Sequence, residues 1–433
     1  MNWWCEAAWI DGKVVAGVRI ITGGDSLIAS VESDAAPGES QRLAGLVFPG
    51  FANTHSHAFH RALRGRTQQT GDFWSWREAM YQIADLLDPD TYLQLATAVF
   101  SEMALAGFTT VGEFHYLHHQ PGGERYDDPN VMGAALIEAA RQAGLKLTLI
   151  DACYLTGGIN QPLDPLQARF GDDDAGAWAA RVEDLRPDVN TRIGAAVHSV
   201  RTVPADQIPT VVDAATGKVL HVHVSEQPAE NEECRHAYQL SPTALLAEAG
   251  VLGARTTAVH ATHLGVDDID LLGQSGTTIC MCPTTERDLG DGIGPAWALA
   301  AAGSRLALGS DQHAVIDPFE EARGLEMHER LATGTRGNFP PEALVTALTI
   351  NGHRSLGWPE GGRIAVGAPC DLVAVSRSTV RTAAASSDQL LFAASAADVT
   401  DVVVAGKSIV TAGVHRLGSV ARMLEEAINP LWD

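Results

Sequence analysis

The chain has 433 residues, 45% apolar and 19% charged, enough for one large domain with a smaller attachment and far from the composition of disordered chains. Thirty basic against 53 acidic side chains leave a net charge of −23, a field that repels phosphate backbones and anionic lipid and argues against nucleic acid or a membrane as partner. The opening residues lack the basic start and apolar stretch of a secretory leader, no run approaches the ~18 apolar residues of a membrane helix, and six scattered cysteines form no CxxC pair, so the expected setting is a reduced cytoplasm.

From Trp3 to Val31 the residues are β-prone, with Asp11-Gly12 offering a two-residue hairpin turn. Eight apolar strand-like runs then alternate with helical patterns: Leu46 to His57, Thr109 to His115, Lys146 to Tyr154, Arg192 to Val200, Val219 to Glu226, Thr256 to His263, Thr277 to Pro283 and Arg305 to Asp311. Such alternation predicts parallel strands joined by crossover helices. An open doubly wound sheet gives the same pattern, but eight repeats and the residues at their ends favour a (β/α)8 barrel. Asp88-Pro89 and Gly107 mark the start and stop of what reads as the first helix. Arg363 to Ser376 and Val399 to Val410 return to β character, punctuated by Gly367 and Gly406. The expected organisation is a barrel over 48–360, with 1–47 and 361–433 combining into a small composite β-sandwich, the second piece ending in a helix.

Catalytic groups of a (β/α)8 barrel cluster at the carboxyl ends of its strands. There the sequence places His55 and His57, Glu113 and His115, His198 and Arg201, His221, His223 and Glu226, His260 and His263, and Asp311 and His313. Sixteen histidines give roughly 0.6 chance His-x-His pairs, so His55-Ser56-His57 means little alone. Two positions apart on a strand, however, both imidazoles face the same way, and His223 with Asp311 completes a donor set that suits a catalytic zinc with room for water. Asp311 can also orient that water and accept its proton. Glu226, three residues after His223, suits a proton shuttle; the alternative is a surface glutamate at a helix start. His260 suits a hydrogen bond to developing charge, and His221 reads as an interior histidine one layer lower. No lysine stands at a strand end to bridge two ions, so one metal is expected.

These residues resemble the amidohydrolase superfamily, whose aminohydrolases carry His-x-His, a later His followed three on by Glu, another His, and Asp. The stretches PGFANTHSH (49–57) and Gly362-Arg363-Ile364 to Asp371-Leu372-Val373 are similar to that superfamily's first strand and its return to the β-sandwich. More narrowly, HSHAFHRAL (55–63), FWSWREAMY (73–81), EFHYLHH (113–119) and CPTTERDLGDGI (282–293) resemble the formimidoylglutamate deiminases of histidine degradation, which convert N-formimidoyl-L-glutamate and water to N-formyl-L-glutamate and ammonia.

The resemblance implies zinc, with Fe2+ or Mn2+ as alternatives, bound once per subunit by His55, His57, His223 and Asp311, with Glu226 and His260 at the reacting centre. It implies that Arg77, Tyr116, His198 and Arg201 hold a small dianionic substrate, as guanidinium forks bind carboxylates, in a homodimer. For Arg77 the alternative is a helix-surface ion pair, for instance with Glu78. Position 60 is histidine where many members carry glutamine; the imidazole of His60 can still donate to a carboxylate or to the formimidoyl nitrogen. The rival reading is a mononuclear aminohydrolase acting on a purine, pyrimidine or triazine ring. Such a ring calls for stacking aromatics rather than two arginines.

Overall fold

The computed structural model describes residues 2–68 and 71–433. Its strands in chain order are β1 (Asn2–Ile10), β2 (Lys13–Thr22), β3 (Ile28–Glu32), β4 (Gln41–Pro49), β5 (Phe51–Ser56), β6 (Phe108–His115), β7 (Lys146–Cys153), β8 (Thr191–Val197), β9 (Leu220–Val224), β10 (Thr256–His260), β11 (Thr278–Met281), β12 (Arg305–Leu308), β13 (Leu372–Val375), β14 (Val399–Val404), β15 (Lys407–Thr411) and β16 (Val414–His415). They form two eight-stranded sheets, one running in order from β5 to β12 and the other ordered β16-β15-β14-β13-β4-β1-β2-β3.

Every neighbouring pair from β5 to β12 is parallel. A bridge between Ser56 and Asp311 brings the first strand against the end of the last. There Asp311 N donates to His55 O at 3.0 Å and His57 N to Asp311 O at 3.1 Å, so the closure is made by the backbone of the metal-ligand candidates themselves. All residues of β5, β6, β7, β9, β10 and β11 are buried, as expected of strands covered on both faces.

The eight expected runs all fall on barrel strands, with one correction. Leu46 to His57 is two strands: β4 ends at Pro49 in the outer sheet and β5 begins at Phe51. Gly50 makes the break, where a Cβ would come within 2.2 Å of Thr109 Oγ1. Toward the C-terminus only Leu372–Val375 of the expected 363–376 segment is strand, and 399–410 folds as a hairpin turning at Ala405-Gly406. The Asp11-Gly12 turn has φ of 47° and 77°, the left-handed pair a tight hairpin requires.

The helix expected to come first is second. α1 (Phe73–Asp85) precedes it, capped by Asp72, whose side chain accepts from Trp74 N and Ser75 N. α2 (Pro89–Ala106) has the expected ends: Asp88 accepts from Thr91 N, Pro89 occupies the first position and Gly107 stops it at φ 104°. The two sheets are tied by Lys146 at the start of β7, whose ammonium lies 2.6 Å from Asp371 before β13, both buried. Among the described residues no helix is long and apolar enough to cross a membrane.

Candidate active site

At the carboxyl end of the barrel the imidazoles of His55, His57 and His223 converge. Nε2 of His55 lies 3.0 Å from Nε2 of His57 and 3.0 Å from Nε2 of His223, and Asp311 Oδ1 is 3.4 Å from the first two. Nδ1 of His57 bonds the Phe114 carbonyl and Nδ1 of His223 the His198 carbonyl, each at 2.9 Å. A carbonyl only accepts, so both protons sit on Nδ1 and both Nε2 atoms present lone pairs to His55. His55 can offer a proton to at most one of them. Lone pairs packed at this distance with a carboxylate repel one another unless a cation lies between. The 3.0 to 3.4 Å spacings match neighbouring donors around one ion at roughly 2.0–2.2 Å. Burial first, then mutual proximity, holds His55 and His223 well below the ordinary imidazole range; burial, with a smaller push from His260, brings His57 down to about 4 despite Asp311 and the Phe114 carbonyl. All three are therefore neutral, as metal ligation requires. The residues fit a metal.

Glu226 and His260 stand beside this cluster. His260 Nε2 is 3.6 Å from Glu226 Oε1 and 3.7 Å from Asp311 Oδ2, while its Nδ1 is 3.6 Å from Glu286. Burial disfavours charge on His260, but Glu226, Glu286 and Asp311 outweigh it and raise the imidazole. Burial raises Glu226 against the pull of His260 and Arg201. Asp311 would also rise on burial, but His260, His57 and His223 hold it below the usual carboxylate range. Ser225, His260, Ala261, Asp311 and His313 all adopt φ between 43° and 68°. These non-glycine left-handed residues gather where β9, β10 and β12 deliver the site.

Arg201 is buried, yet its guanidinium donates no hydrogen bond among the described residues; Glu230 and Glu226 are its nearest anions, at 3.5 and 3.7 Å. Arg77 lies over the ring of Trp74 at 4.5 Å and makes no ion pair among the described residues, with Glu78 or any other. Both guanidiniums line the cavity that opens on the imidazole cluster, as do Tyr116, His198 and His60. Arg77 thus faces the cavity of its own chain. His60 Nε2 is 2.8 Å from the Tyr116 hydroxyl.

Other strand-end polar residues do not face this centre. His221 lies a layer deeper with Nε2 3.1 Å from the Ser355 carbonyl. Glu113 sits behind the paired histidines, accepting from Ser56 Oγ and Ala58 N, with its carboxyl pushed up to about 8 by burial. His313 bonds Ser310 Oγ at 2.9 Å. His115 packs against His118. Sequence reasoning missed Glu286, Tyr81 and Tyr154. Tyr154 closes the Lys146 to Tyr154 run and Tyr81 follows Arg77 by one helical turn, so both carried a positional signal.

An eight-stranded parallel barrel with a His-His-His-Asp cluster at its carboxyl mouth defines a metal-dependent hydrolase. The amidohydrolase family model matches residues 46–409, and the chain belongs to that family. It is a hydrolase acting on carbon–nitrogen bonds, 35% identical over 95% of its length to formimidoylglutamate deiminase of Pseudomonas aeruginosa, 94% of which is covered. An amidohydrolase structure from Brucella melitensis superposes with a TM-score of 0.93 at 31% identity, covering 100% of both chains. The same fold occurs in an adenosine deaminase from Xanthomonas campestris with bound zinc, at a TM-score of 0.83 and 22% identity over 98% of this chain and 96% of that one.

Proposed function

We propose that the chain converts N-formimidoyl-L-glutamate and water to N-formyl-L-glutamate and ammonia, using one zinc ion held by His55, His57, His223 and Asp311. The observation that carries the substrate is Arg201, a buried guanidinium without hydrogen bonds on the wall of the metal-ligand cavity. Glu226 and Glu230 offset its charge at 3.5 to 3.7 Å, but buried N–H donors without hydrogen bonds are costly, and a substrate carboxylate satisfies them bidentately. Arg77 supplies a second guanidinium, so the cavity accepts a diacid rather than a ring. The 35% identity to the Pseudomonas enzyme supports the same reading.

His55, His57, His223 and Asp311 would hold a divalent ion, which would supply Lewis acidity able to bring the pKa of a water from 15.7 down to about 7. The side chains do the rest. Asp311, with one oxygen toward His55 and His57 and the other toward His260, orients that water. Glu226 takes one proton as water adds to the formimidoyl carbon and passes it to the imine nitrogen, then relays the second proton from the new hydroxyl as the C=O forms and the C–N bond breaks, so that the nitrogen leaves as ammonia. His260, gripped between Glu226 and Glu286, directs its N–H at the charge that develops. His60, Tyr116 and His198 complete the polar lining around the substrate. The reading extends to a homodimer in the cytoplasm, supported there by the resemblance and by six cysteines that are all free and buried.

Arg201→Met tests the substrate assignment. The KM for N-formimidoyl-L-glutamate should rise roughly 10- to 100-fold, the loss of a charge-assisted bond pair, with kcat changed far less. An unchanged KM would remove Arg201 from the substrate site.

A further inference from the structure

One wall of the cavity is built by side chains to which the reaction above gives no role. Tyr81 and Tyr154 are buried and line the cavity. Their hydroxyl oxygens both accept from the side-chain amide of Gln167, at 3.1 and 3.0 Å. That amide has a fixed orientation, because its Oε1 accepts the backbone N–H of Asp164 at 3.1 Å and so turns the NH2 end toward the tyrosines. Gln167 is itself buried. At Gly157 a Cβ would come within 2.5 Å of Gln167 Oε1, so the loop keeps glycine where the amide needs space.

An amide NH2 only donates. A phenol oxygen that accepts from it keeps its own proton for another partner. Of the two protons, at most one can be taken up between the rings, whose hydroxyls share the Gln167 amide. Neither hydroxyl donates to a group outside the pair among the described residues, so at least one O–H is left for the cavity. Arg77 joins the same wall, its guanidinium 5.6 Å over the Tyr81 ring. Arg201 by contrast lies 3.7 Å from Glu226 and serves the carboxylate beside the reacting nitrogen. Arg77 with the phenol pair is left for a carboxylate further away.

We propose that Tyr81 and Tyr154, oriented by Gln167, determine specificity for the second carboxylate of the substrate alongside Arg77, and so make the site select diacids over monoacids. The inference rests on the N-formimidoyl-L-glutamate reading. Gln167 is a positioning residue; the phenols touch the ligand.

The test compares wild type, the double variant Y81F/Y154F and Gln167→Glu, all zinc-loaded, on N-formimidoyl-L-glutamate and on N-formimidoylglycine, which lacks the distal carboxylate. Glutarate binding is measured in parallel by calorimetry. The carboxylate introduced by Gln167→Glu would still accept from Asp164 N but would draw the phenol protons to itself. Both variants should raise the glutarate Kd and the KM for the glutamate compound roughly 10- to 100-fold. Their kcat should stay within about threefold, and their zinc content and KM for the glycine compound should not change. Unchanged glutarate affinity, or equal losses on both substrates, would overturn the assignment. If wild type releases no ammonia from the glutamate compound while the variants still lose glutarate affinity, the substrate reading fails and the diacid-binding wall stands.

Discussion

Glu226 meets two demands at once. Burial favours its neutral form, while His260 and Arg201 on either side favour the carboxylate. A group poised between the two states can take a proton from water and give it back within one turnover. Glu226→Gln keeps the shape and removes that capacity. Its turnover should fall by roughly 10²- to 10⁴-fold, while metal content and the Kd for glutarate stay at wild-type values. Near-normal turnover in this variant would take the shuttle role from Glu226. The neighbouring histidines show the opposite solution: neutral imidazoles whose Nδ1 protons are parked on the Phe114 and His198 carbonyls, leaving Nε2 free.

Between elements, one buried ion pair and one half-exposed pair hold the outer sheet and its connections. Lys146 on β7 meets Asp371 before β13, and Asp371 also accepts Ala405 N at the β14–β15 turn. Lys146→Met leaves that carboxylate buried without its cation and should cost about 3–5 kcal/mol in urea unfolding. A loss below about 1 kcal/mol would show that Asp371 is satisfied without it. Asp398, just before β14, accepts from Arg381 Nε and Nη2 at 2.9 Å and from Ser395 N. Burial works against its charge, but Arg381, Thr379 and Ser395 hold its carboxyl down to about 2. The folded pKa is below the unfolded one, so the stabilisation is present above about pH 4 and fades as pH falls toward about 2. Arg381→Met should therefore lower the urea midpoint at neutral pH, and its deficit should shrink steadily below about pH 4. A deficit independent of pH would point to lost packing of the arginine stem instead.

At the scale of the molecule, the barrel was legible because strands buried on both faces read as unbroken apolar runs, and its chemistry because polar residues end those runs. Where β4 passes into β5, the same rule hides the boundary: Leu46 to Ala52 carries no polar side chain, and only Gly50 separates two sheets. α1 is not legible as a helix because the segment after its cap, Asp72, is rich in tryptophan, phenylalanine and tyrosine, residues that favour strands over helices. Tyr81 and Tyr154 carried a positional signal, but their pairing through Gln167 did not, and neither did the place of Glu286 beside His260: no spacing along the chain encodes such proximity. The charge of −23 adds a requirement of its own: a dianion enters such a field only where local cations outweigh it, and Arg77 and Arg201 are placed for that.

The most direct test of the account is ammonia release by the zinc-loaded protein from N-formimidoyl-L-glutamate, set beside N-formimidoylglycine and adenosine and repeated after chelation. The account predicts rapid release from the glutamate compound, far slower release from the other two, and loss of activity on chelation that zinc restores. Release from adenosine in preference to the glutamate compound would contradict it.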